Sequence, residues 1–115
     1  MRYYIYIVRC KDGSRYTGIT TDPHRRMREH VLRLPAGAKY TKSHPVEALE
    51  ALWSAETRSE ASVLEAAIKR LRPEQKRQLT AQPDSLLLFL GAKLDPSRYQ
   101  PEAVFSLDEI LNEQS

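Results

Sequence analysis

The chain is 115 residues long, which suits one domain with a single modest hydrophobic core. Hydrophobic residues make up 41% and charged residues 29%, a balance that excludes a disordered chain. The apolar run "LLLFL" at 86–90 is too short to span a membrane, and the chain does not begin with a signal-peptide pattern, so we expect a cytoplasmic protein. The single Cys10 excludes an intramolecular disulfide and a cysteine-based zinc site.

The formal net charge of +3 is unevenly distributed along the chain. Residues 1–81 hold 16 Lys and Arg against 9 Asp and Glu, a net of +7, whereas residues 82–115 hold 2 against 6, a net of −4. A basic surface can bind a polyanion because neutralised phosphates release condensed counterions. Solvated basic surfaces without such a partner are also common, so charge alone leaves both interpretations open.

The first elements form a β-hairpin followed by a helix. Residues 3–10 are β-branched and aromatic, "KDGS" supplies a turn, and residues 15–20 form a second short strand. Asp22 is a typical N-cap, and Pro23 suits the first position of a helix that Pro35-Ala36-Gly37 would end. The predicted buried stripe of this helix is Met27, Val31 and Leu34. An adjacent polar stripe has the same spacing: Arg26, His30 and Arg33.

The middle of the chain contains one ambiguous segment. The stretch "GAKYTKSHP" is predicted as a loop, and "VEALEALWSAE" follows it. The Ala, Leu and Glu content of that second stretch favours a helix, whereas its alternation of apolar residues allows a strand. Propensity alone predicts the helix.

The second half of the chain is predicted to be helical. Thr57 and Glu60 form a capping box, and the helix that they open buries Ala61, Leu64, Ile68 and Leu71. Pro73 begins another helix. Beyond Pro83 an apolar run leads into an acidic, proline-spaced tail, in which Ser106 to Glu109 form a second capping box and predict a short final helix. We divide the chain into a main domain, 1–82, and an acidic extension, 83–115, that packs on it or trails from it.

Several of these stretches together resemble a known family. "YIY" at Tyr4–Tyr6, "YTG" at Tyr16–Gly18, "DPHRRMREH" and a glutamate on a later helix are similar to the GIY-YIG nuclease domain. The nearest resemblance is to its small stand-alone bacterial branch, the UPF0213-like proteins similar to YhbQ, and it covers residues 2–79. Tyr4 stands where the family motif has glycine, a glycine that this branch usually lacks.

The resemblance implies a fold and a set of site residues. The implied fold is an α/β (α+β) domain with a three-stranded antiparallel sheet flanked by helices, which would make "VEALEALW" the third strand. The implied catalytic residues are Tyr6, Tyr16, Arg26, His30 and Glu65, and Gly18 matches the motif glycine. Glu65 would hold a single divalent metal ion, Mg²⁺ or Mn²⁺. The residues that we expect to contact nucleic acid are Arg25, Lys39, Tyr40, Thr41 and Lys69.

The chemistry of phosphodiester cleavage suits these residue types. It needs an activated oxygen nucleophile, charge stabilisation on the phosphoryl oxygens and help for the leaving oxygen. A phenol could act as base if nearby cations lowered its pKa, and an arginine offers a permanently charged fork for phosphate. One glutamate is a hard oxygen ligand for Mg²⁺, which keeps most of its waters.

Each candidate also has an ordinary structural interpretation. A strand tyrosine can bury its ring, Arg26 and His30 can be plain helix residues, and Glu65 can pair with Lys69 for about 0.3–0.5 kcal/mol. Their joint occurrence in motif order favours the functional interpretation, a metal-dependent DNA endonuclease or structure-selective nickase of DNA repair or recombination. The alternative is a nucleic-acid-binding module with little or no nuclease activity. RNA stays open as a substrate, and the acidic tail could bind a protein partner or cover the basic face.

Hairpin geometry gives a separate prediction. For the two tyrosines to share a site, they must point to the same face of the hairpin. A two-residue turn would pair Tyr6 with Ile19 and separate them, whereas a three-residue loop at 11–13 pairs Tyr6 with Gly18 and brings them together. Such loops contain a left-handed residue, so we predict Gly13 at positive φ, with Arg26 and Glu65 approaching the same face. We also expect the bare Gly18 opposite Tyr6 to leave room for a phosphate or its metal.

Overall fold

The structure is a computed structural model that describes residues 1–90 and 94–112. Its strands are β1 (Tyr3–Cys10), β2 (Arg15–Thr20), β3 (Val46–Ala55) and β4 (Gln100–Pro101). Its helices are α1 (Pro23–Val31), α2 (Lys39–Ser43), α3 (Arg58–Lys69), α4 (Pro73–Ala81), α5 (Leu86–Leu90) and α6 (Asp108–Asn112), and a 3₁₀ turn spans Pro96–Arg98. Within these two ranges no helix has both the length and the apolar character needed to cross a membrane.

The strands form one antiparallel sheet in the order β2-β1-β3-β4. The fold is therefore α+β as predicted, but the prediction of three strands is wrong by one. Strand β4 contributes only Gln100 and Pro101, which pair with the outer edge of β3. A two-residue strand that contains proline, which has no N–H to donate to a ladder, gives no pattern that the sequence could reveal.

The hairpin has the predicted three-residue loop. Tyr6 pairs with Gly18 and Val8 with Tyr16, and Gly13 has a φ of +86°. The Gly13 N–H donates to the Cys10 carbonyl at 3.0 Å, which closes the turn. This register prediction is confirmed, and it places the rings of Tyr6 and Tyr16 on one face of the sheet.

Strand β3 forms against the helical propensity of its residues. It pairs with β1 over most of its length, and residues 51–55 are all buried. Cross-strand hydrogen bonds and burial on both faces exceed a propensity difference of a few tenths of a kcal/mol per residue. The strand implied by the family resemblance is therefore present, and the helix favoured by propensity is not.

The sheet carries a hydrophobic core on each face. One core packs α3 against the odd-numbered residues of β1, and its buried members include Ile5, Ile7, Trp53, Leu64 and Ile68. The other core packs α1 against the even-numbered residues, and its buried members include Tyr6, Val8, Cys10, Met27, Val31 and Leu52. Because neighbouring side chains in a strand point to opposite faces, α1 and α3 lie on opposite sides of the tyrosine-bearing strand.

Helix α1 begins as predicted and ends early. The Asp22 carboxylate accepts from the Arg25 N–H at 3.1 Å, but the helix stops at Val31. Arg33 adopts a left-handed φ of +54°, and the Leu34 N–H donates to the Glu29 carbonyl at 3.0 Å. This Schellman-type ending turns the chain away, so Leu34 is 40% exposed instead of buried, and Arg33 lies beyond the polar stripe predicted for it.

The capping predictions hold in part. The Thr57 hydroxyl caps α3 by accepting from the Glu60 N–H at 3.1 Å. Near the other end of the chain, the Ser106 hydroxyl accepts from the Asp108 N–H at 3.1 Å and not from Glu109, the partner that the second capping box predicted. The predicted loop at 37–45 contains the short helix α2.

The C-terminal extension crosses from one core to the other. Leu86, Leu90 and Tyr99 belong to the core under α3, whereas Leu107 belongs to the core under α1. Between them β4 pairs with the edge of β3. The extension, apart from 91–93 and 113–115, which lie outside the described residues, thus packs along the domain.

Candidate active site

Tyr6 lies at the centre of the candidate site with its ring fully buried. It faces Gly18 on the neighbouring strand, and a Cβ added at Gly18 would collide with the Tyr6 hydroxyl. We expected the bare glycine to leave room for a phosphate or its metal. The phenol itself occupies that space, so Gly18 is required by the close approach of the Tyr6 ring.

His30 forms the second part of the site. It lies on α1, is only 1% exposed, and its Nε2 is 2.7 Å from the Tyr6 hydroxyl. Its Nδ1 is 2.8 Å from the Thr41 hydroxyl oxygen, which donates its own hydrogen to the Ala38 carbonyl at 3.0 Å. Because a hydroxyl carries one hydrogen, Thr41 accepts from Nδ1–H of a neutral His30, and Nε2 presents its lone pair to the Tyr6 O–H.

Burial controls the protonation of this pair. Burial, together with the nearby Arg26 guanidinium, lowers the pKa of His30 to about 4, so the imidazole is neutral near pH 7. Burial also raises the pKa of Tyr6 above its usual value, and the hydrogen bond from Arg26 offsets only part of that rise. The condition under which this phenol could act as a base, a pKa lowered by nearby cations, is therefore not met, because desolvation of the phenolate exceeds the effect of Arg26.

Arg26 touches the same phenol from α1. Its Nε is 3.4 Å from the Tyr6 hydroxyl, and its Nη1 donates to Glu29 at 2.9 Å and to the Ala36 carbonyl at 2.6 Å. These contacts hold a guanidinium that is 21% exposed, so the side chain is less solvent-facing than the helix pattern predicted. Glu29, which the sequence did not single out, orients this arginine.

Tyr16 extends the site toward the surface as part of an aromatic ladder. Its ring centroid is 6.3 Å from that of Tyr6, 5.7 Å from that of His30 and 5.7 Å from that of Tyr40, on which it stacks. Tyr40 stacks in turn on His44, with centroids 4.0 Å apart. The structure thus brings Tyr6, Tyr16, Arg26 and His30 into one cluster.

Glu65 approaches from the opposite side of the sheet. It lies on α3 and pairs with Lys69 at 3.4 Å, and the Lys69 ammonium is 5.9 Å from the centroid of the Tyr16 ring. The Glu65 carboxylate also contributes to the raised pKa of Tyr6. Glu65 is therefore close enough to act on the Tyr6 phenol, although its helix packs on the opposite face of the sheet.

The residues expected to contact nucleic acid differ in exposure. Arg25 and Lys69 are more than half exposed, Lys39 is exposed, and Tyr40 is half-buried. Thr41 is fully buried and bonded to His30, so it contacts the imidazole and not a phosphate. No periodic pattern relates Thr41 to His30, and sequence reasoning therefore missed its actual contact.

Comparison with known proteins gives the family of this chain. The model of the GIY-YIG catalytic domain matches residues 2–78, and the chain belongs to this family. This is a family of endonucleases, whose substrates are nucleic acids.

Within the family, the chain is similar to UPF0213 proteins, as its motifs predicted. It is 42% identical to one from Fusobacterium nucleatum over 87 residues, 76% of this chain and 85% of that protein. It is also 42% identical to one from Halalkalibacterium halodurans over 81 residues, 70% of this chain and 84% of that protein. The solution NMR structure of a UPF0213 protein from Bacillus halodurans has a TM-score of 0.45 and 43% identity, covering 70% of this chain and 84% of that one.

Proposed function

We propose that this chain is a metal-dependent DNA endonuclease, acting as a structure-selective nickase in repair or recombination. The observation that carries the proposal is the hydrogen-bonded chain from Tyr6 through His30 to Thr41, with Arg26 at the phenol. Burying a phenol and an imidazole carries a free-energy cost of desolvation, which an apolar pair of equal size would avoid. Their alignment is the arrangement that a proton relay needs.

In this proposal Tyr6 relays a proton without becoming a free phenolate. As a water attacks phosphorus, its proton passes to the Tyr6 oxygen, while the hydroxyl proton of Tyr6 moves to Nε2 of His30. The new P–O bond forms as the bond to the leaving sugar oxygen breaks, and that oxygen keeps the electron pair and takes up a proton from solvent. The raised pKa of Tyr6 would hinder a separate deprotonation of the phenol. The relay avoids that step, because Tyr6 gains one proton as it loses another.

Arg26 would stabilise the phosphoryl oxygens. Its Nε lies within reach of the Tyr6 hydroxyl, so a phosphate bound to the guanidinium sits beside the relay. Glu29 and the Ala36 carbonyl hold Nη1, which keeps the fork oriented. Pre-orientation of this kind lowers the cost of stabilising charge that develops in the transition state.

Glu65 would hold the divalent ion. Among residues 1–90 and 94–112 no group of three or more His, Cys, Asp or Glu side chains could form a metal cage. A single carboxylate fits Mg²⁺ or Mn²⁺, since such ions keep several waters and take further oxygens from a substrate phosphate. When bound, the ion would supply Lewis-acid stabilisation of the phosphoryl group. Lys69, which pairs with Glu65 at 3.4 Å, would then have to release the carboxylate.

The test is nicking of supercoiled plasmid and of branched DNA with Mg²⁺, Mn²⁺ or chelator. We expect metal-dependent nicking, reduced at least about 100-fold by Arg26→Ala or Glu65→Ala, because each removes one source of transition-state stabilisation. Arg70→Gln and Glu74→Gln, exposed charges elsewhere on the surface, serve as matched controls and should nick normally.

Two other outcomes would change the assignment. DNA binding that weakens with salt, without nicking under any metal condition, would favour the binding module. Equal nicking by wild type and the Arg26→Ala/Glu65→Ala double variant would show that these residues are not the catalytic ones.

A further inference from the structure

A cationic cavity adjoins the candidate active site at the end of strand β2. It has a volume of about 220 Å³ and lies where the beginnings of α1 and α3 converge. Its lining includes Thr20, Thr21 and the side chains of Arg25, Arg26 and Arg58. Because Arg26 also contacts Tyr6, the cavity and the site share one guanidinium.

The cavity carries excess positive charge. Three guanidinium groups and the single carboxylate of Glu29 line it, which leaves a formal charge of +2. Glu29 is shared by Arg25 at 3.7 Å and Arg26 at 2.9 Å. None of the ion pairs found in the described part of the chain uses Arg58, although this residue is exposed at the start of α3.

The position of the cavity relative to the site suggests what fills it. Lys69 lies near Tyr16, toward the first end of β2. Arg26 contacts Tyr6, which pairs with Gly18 near the middle of β2. The cavity lies at the other end of β2, beside Thr20 and Thr21. Cationic side chains therefore follow this edge strand along its length. Guanidinium forks match phosphate oxygens in geometry, and a row of them matches a ligand with repeated phosphates.

We propose that this cavity binds a second phosphate of the nucleic-acid strand, next to the phosphate held at Arg26, with Arg58 as its principal ligand. The proposal rests on the proposed function only in taking nucleic acid as the ligand; it does not require cleavage. In this proposal the cavity binds the phosphate of a flanking nucleotide, and this contact aligns the nucleic-acid strand along β2.

The test uses short thymidine oligonucleotides in the presence of chelator, so that binding is measured without cleavage. TpT has one phosphate and TpTpT has two. Titrations followed by ¹H–¹⁵N NMR should show that wild type binds TpTpT at least about threefold more tightly than TpT. The backbone amides of Thr21 and Arg58 should shift only with TpTpT. In Arg58→Gln the preference should disappear.

A matched control lies on the same helix. Arg70, the C-cap of α3, is twelve residues from Arg58, about 18 Å along the helix axis. Arg70→Gln should keep the TpTpT preference. With a longer oligonucleotide, Arg58→Gln should reduce the slope of log affinity against log salt by about one, and Arg70→Gln should not.

The outcomes separate this proposal from the proposed nuclease. An Arg58→Gln variant that keeps the TpTpT preference would overturn the second-phosphate site, whatever the nicking assay shows. Inorganic phosphate that shifts the same amides as strongly as TpTpT would overturn the assignment to a nucleic-acid strand. Normal TpTpT binding by a protein that never nicks DNA would support the cavity and refute the nuclease.

Discussion

Thr41 follows His30 by eleven residues, yet its hydroxyl determines which nitrogen of His30 carries the hydrogen. The donor bond to the Ala38 carbonyl leaves this hydroxyl only its acceptor capacity toward Nδ1. Nε2 is consequently free to accept from Tyr6. A threonine that the sequence suggested for the surface thus acts on the candidate site by positioning the imidazole.

Replacing Thr41 by valine should test this positioning role. The change keeps the shape of the side chain but leaves Nδ1–H buried without its acceptor, a loss of about 1–3 kcal/mol in the free energy of unfolding. ¹⁵N NMR should show His30 moving from the Nδ1–H tautomer to a mixture, and nicking per folded molecule should fall.

Thr41→Ser keeps the hydroxyl and should restore both the tautomer and the nicking rate. If Thr41→Val lowers only stability and leaves the His30 tautomer and the nicking rate unchanged, the hydroxyl is merely a structural contact.

His30 also links stability to pH. Its pKa is lowered from 6.5 to about 4 in the folded protein, so the unfolded chain binds a proton between these values and the folded chain does not. The stability contributed by neutral His30 is complete above pH 6.5 and is lost as pH falls toward 4, by up to about 3 kcal/mol. Urea denaturation at pH 7.5 and pH 4 should show this loss in wild type.

His30→Gln serves as the reference, since other acid-titrating groups contribute equally to both proteins. The variant should be less stable than wild type at neutral pH. Between pH 7.5 and pH 4 its free energy of unfolding should fall by about 3 kcal/mol less than that of wild type. Parallel pH curves for the two proteins would mean that His30 is not held neutral by the fold.

At the scale of elements, the hairpin loop decides which side chains meet. Because the three-residue loop pairs Tyr6 with Gly18, the phenol crosses β2 and reaches His30. A register shifted by one residue would send every side chain of β2 to the other face. The loop therefore acts on the site through pairing, although it lies at the far end of both strands.

Two glycine substitutions should separate loop stability from site geometry. In Gly13→Ala the added Cβ has no neighbouring atoms to collide with, but the alanine must adopt a φ near +86°. This strain should lower the free energy of unfolding by about 1–2 kcal/mol while the strand register is retained. Gly18→Ala instead collides with the Tyr6 hydroxyl and should displace it from His30, which would abolish nicking. Urea denaturation and plasmid nicking measure the two effects.

Lys11→Ala, an exposed change in the same loop, should alter neither property. Normal nicking by a folded Gly18→Ala protein would show that the Tyr6–His30 contact is dispensable for catalysis.

At the scale of the whole molecule, the extension is part of both cores. Its residues complete the core under α3, pair through β4 with Trp53 and Ser54 at the edge of β3, and then enter the core under α1, where Phe105 stacks on His24 with centroids 4.0 Å apart. An uncovered β3 edge would present unpaired backbone groups to other chains. We infer that the extension protects this end of the β3 edge, a role that its acidic composition did not suggest.

Leu107→Ala should reveal how firmly the extension is integrated. Leu107 is 2% exposed, so truncating it should lower the free energy of unfolding by about 2–5 kcal/mol. Val104→Ala, in the same segment but 47% exposed, should change it by less than about 0.5 kcal/mol. Equal, small effects from both substitutions would mean that the extension does not stabilise the domain.

The amino-acid sequence alone was sufficient to predict the features that depend on residues close together in the chain. The Asp22 and Thr57 caps and the packing face of α3 follow from local sterics and periodicity, which a single segment displays. The loop length, with Gly13 in the left-handed region, followed from strand alternation together with the requirement that Tyr6 and Tyr16 share one face. The motif order likewise predicted the family and the cluster of Tyr6, Tyr16, Arg26 and His30.

The remaining features depend on segments that are distant in the chain. Burial of Tyr6 and His30, the raised pKa of the phenol, the contact of Thr41 with the imidazole and the fourth strand all require tertiary packing. Desolvation depends on everything that surrounds a group, and the pairing of a short strand depends on an edge supplied elsewhere. No local pattern in the sequence contains this information, so only the folded chain shows that the phenol keeps its proton and that part of the β3 edge is paired.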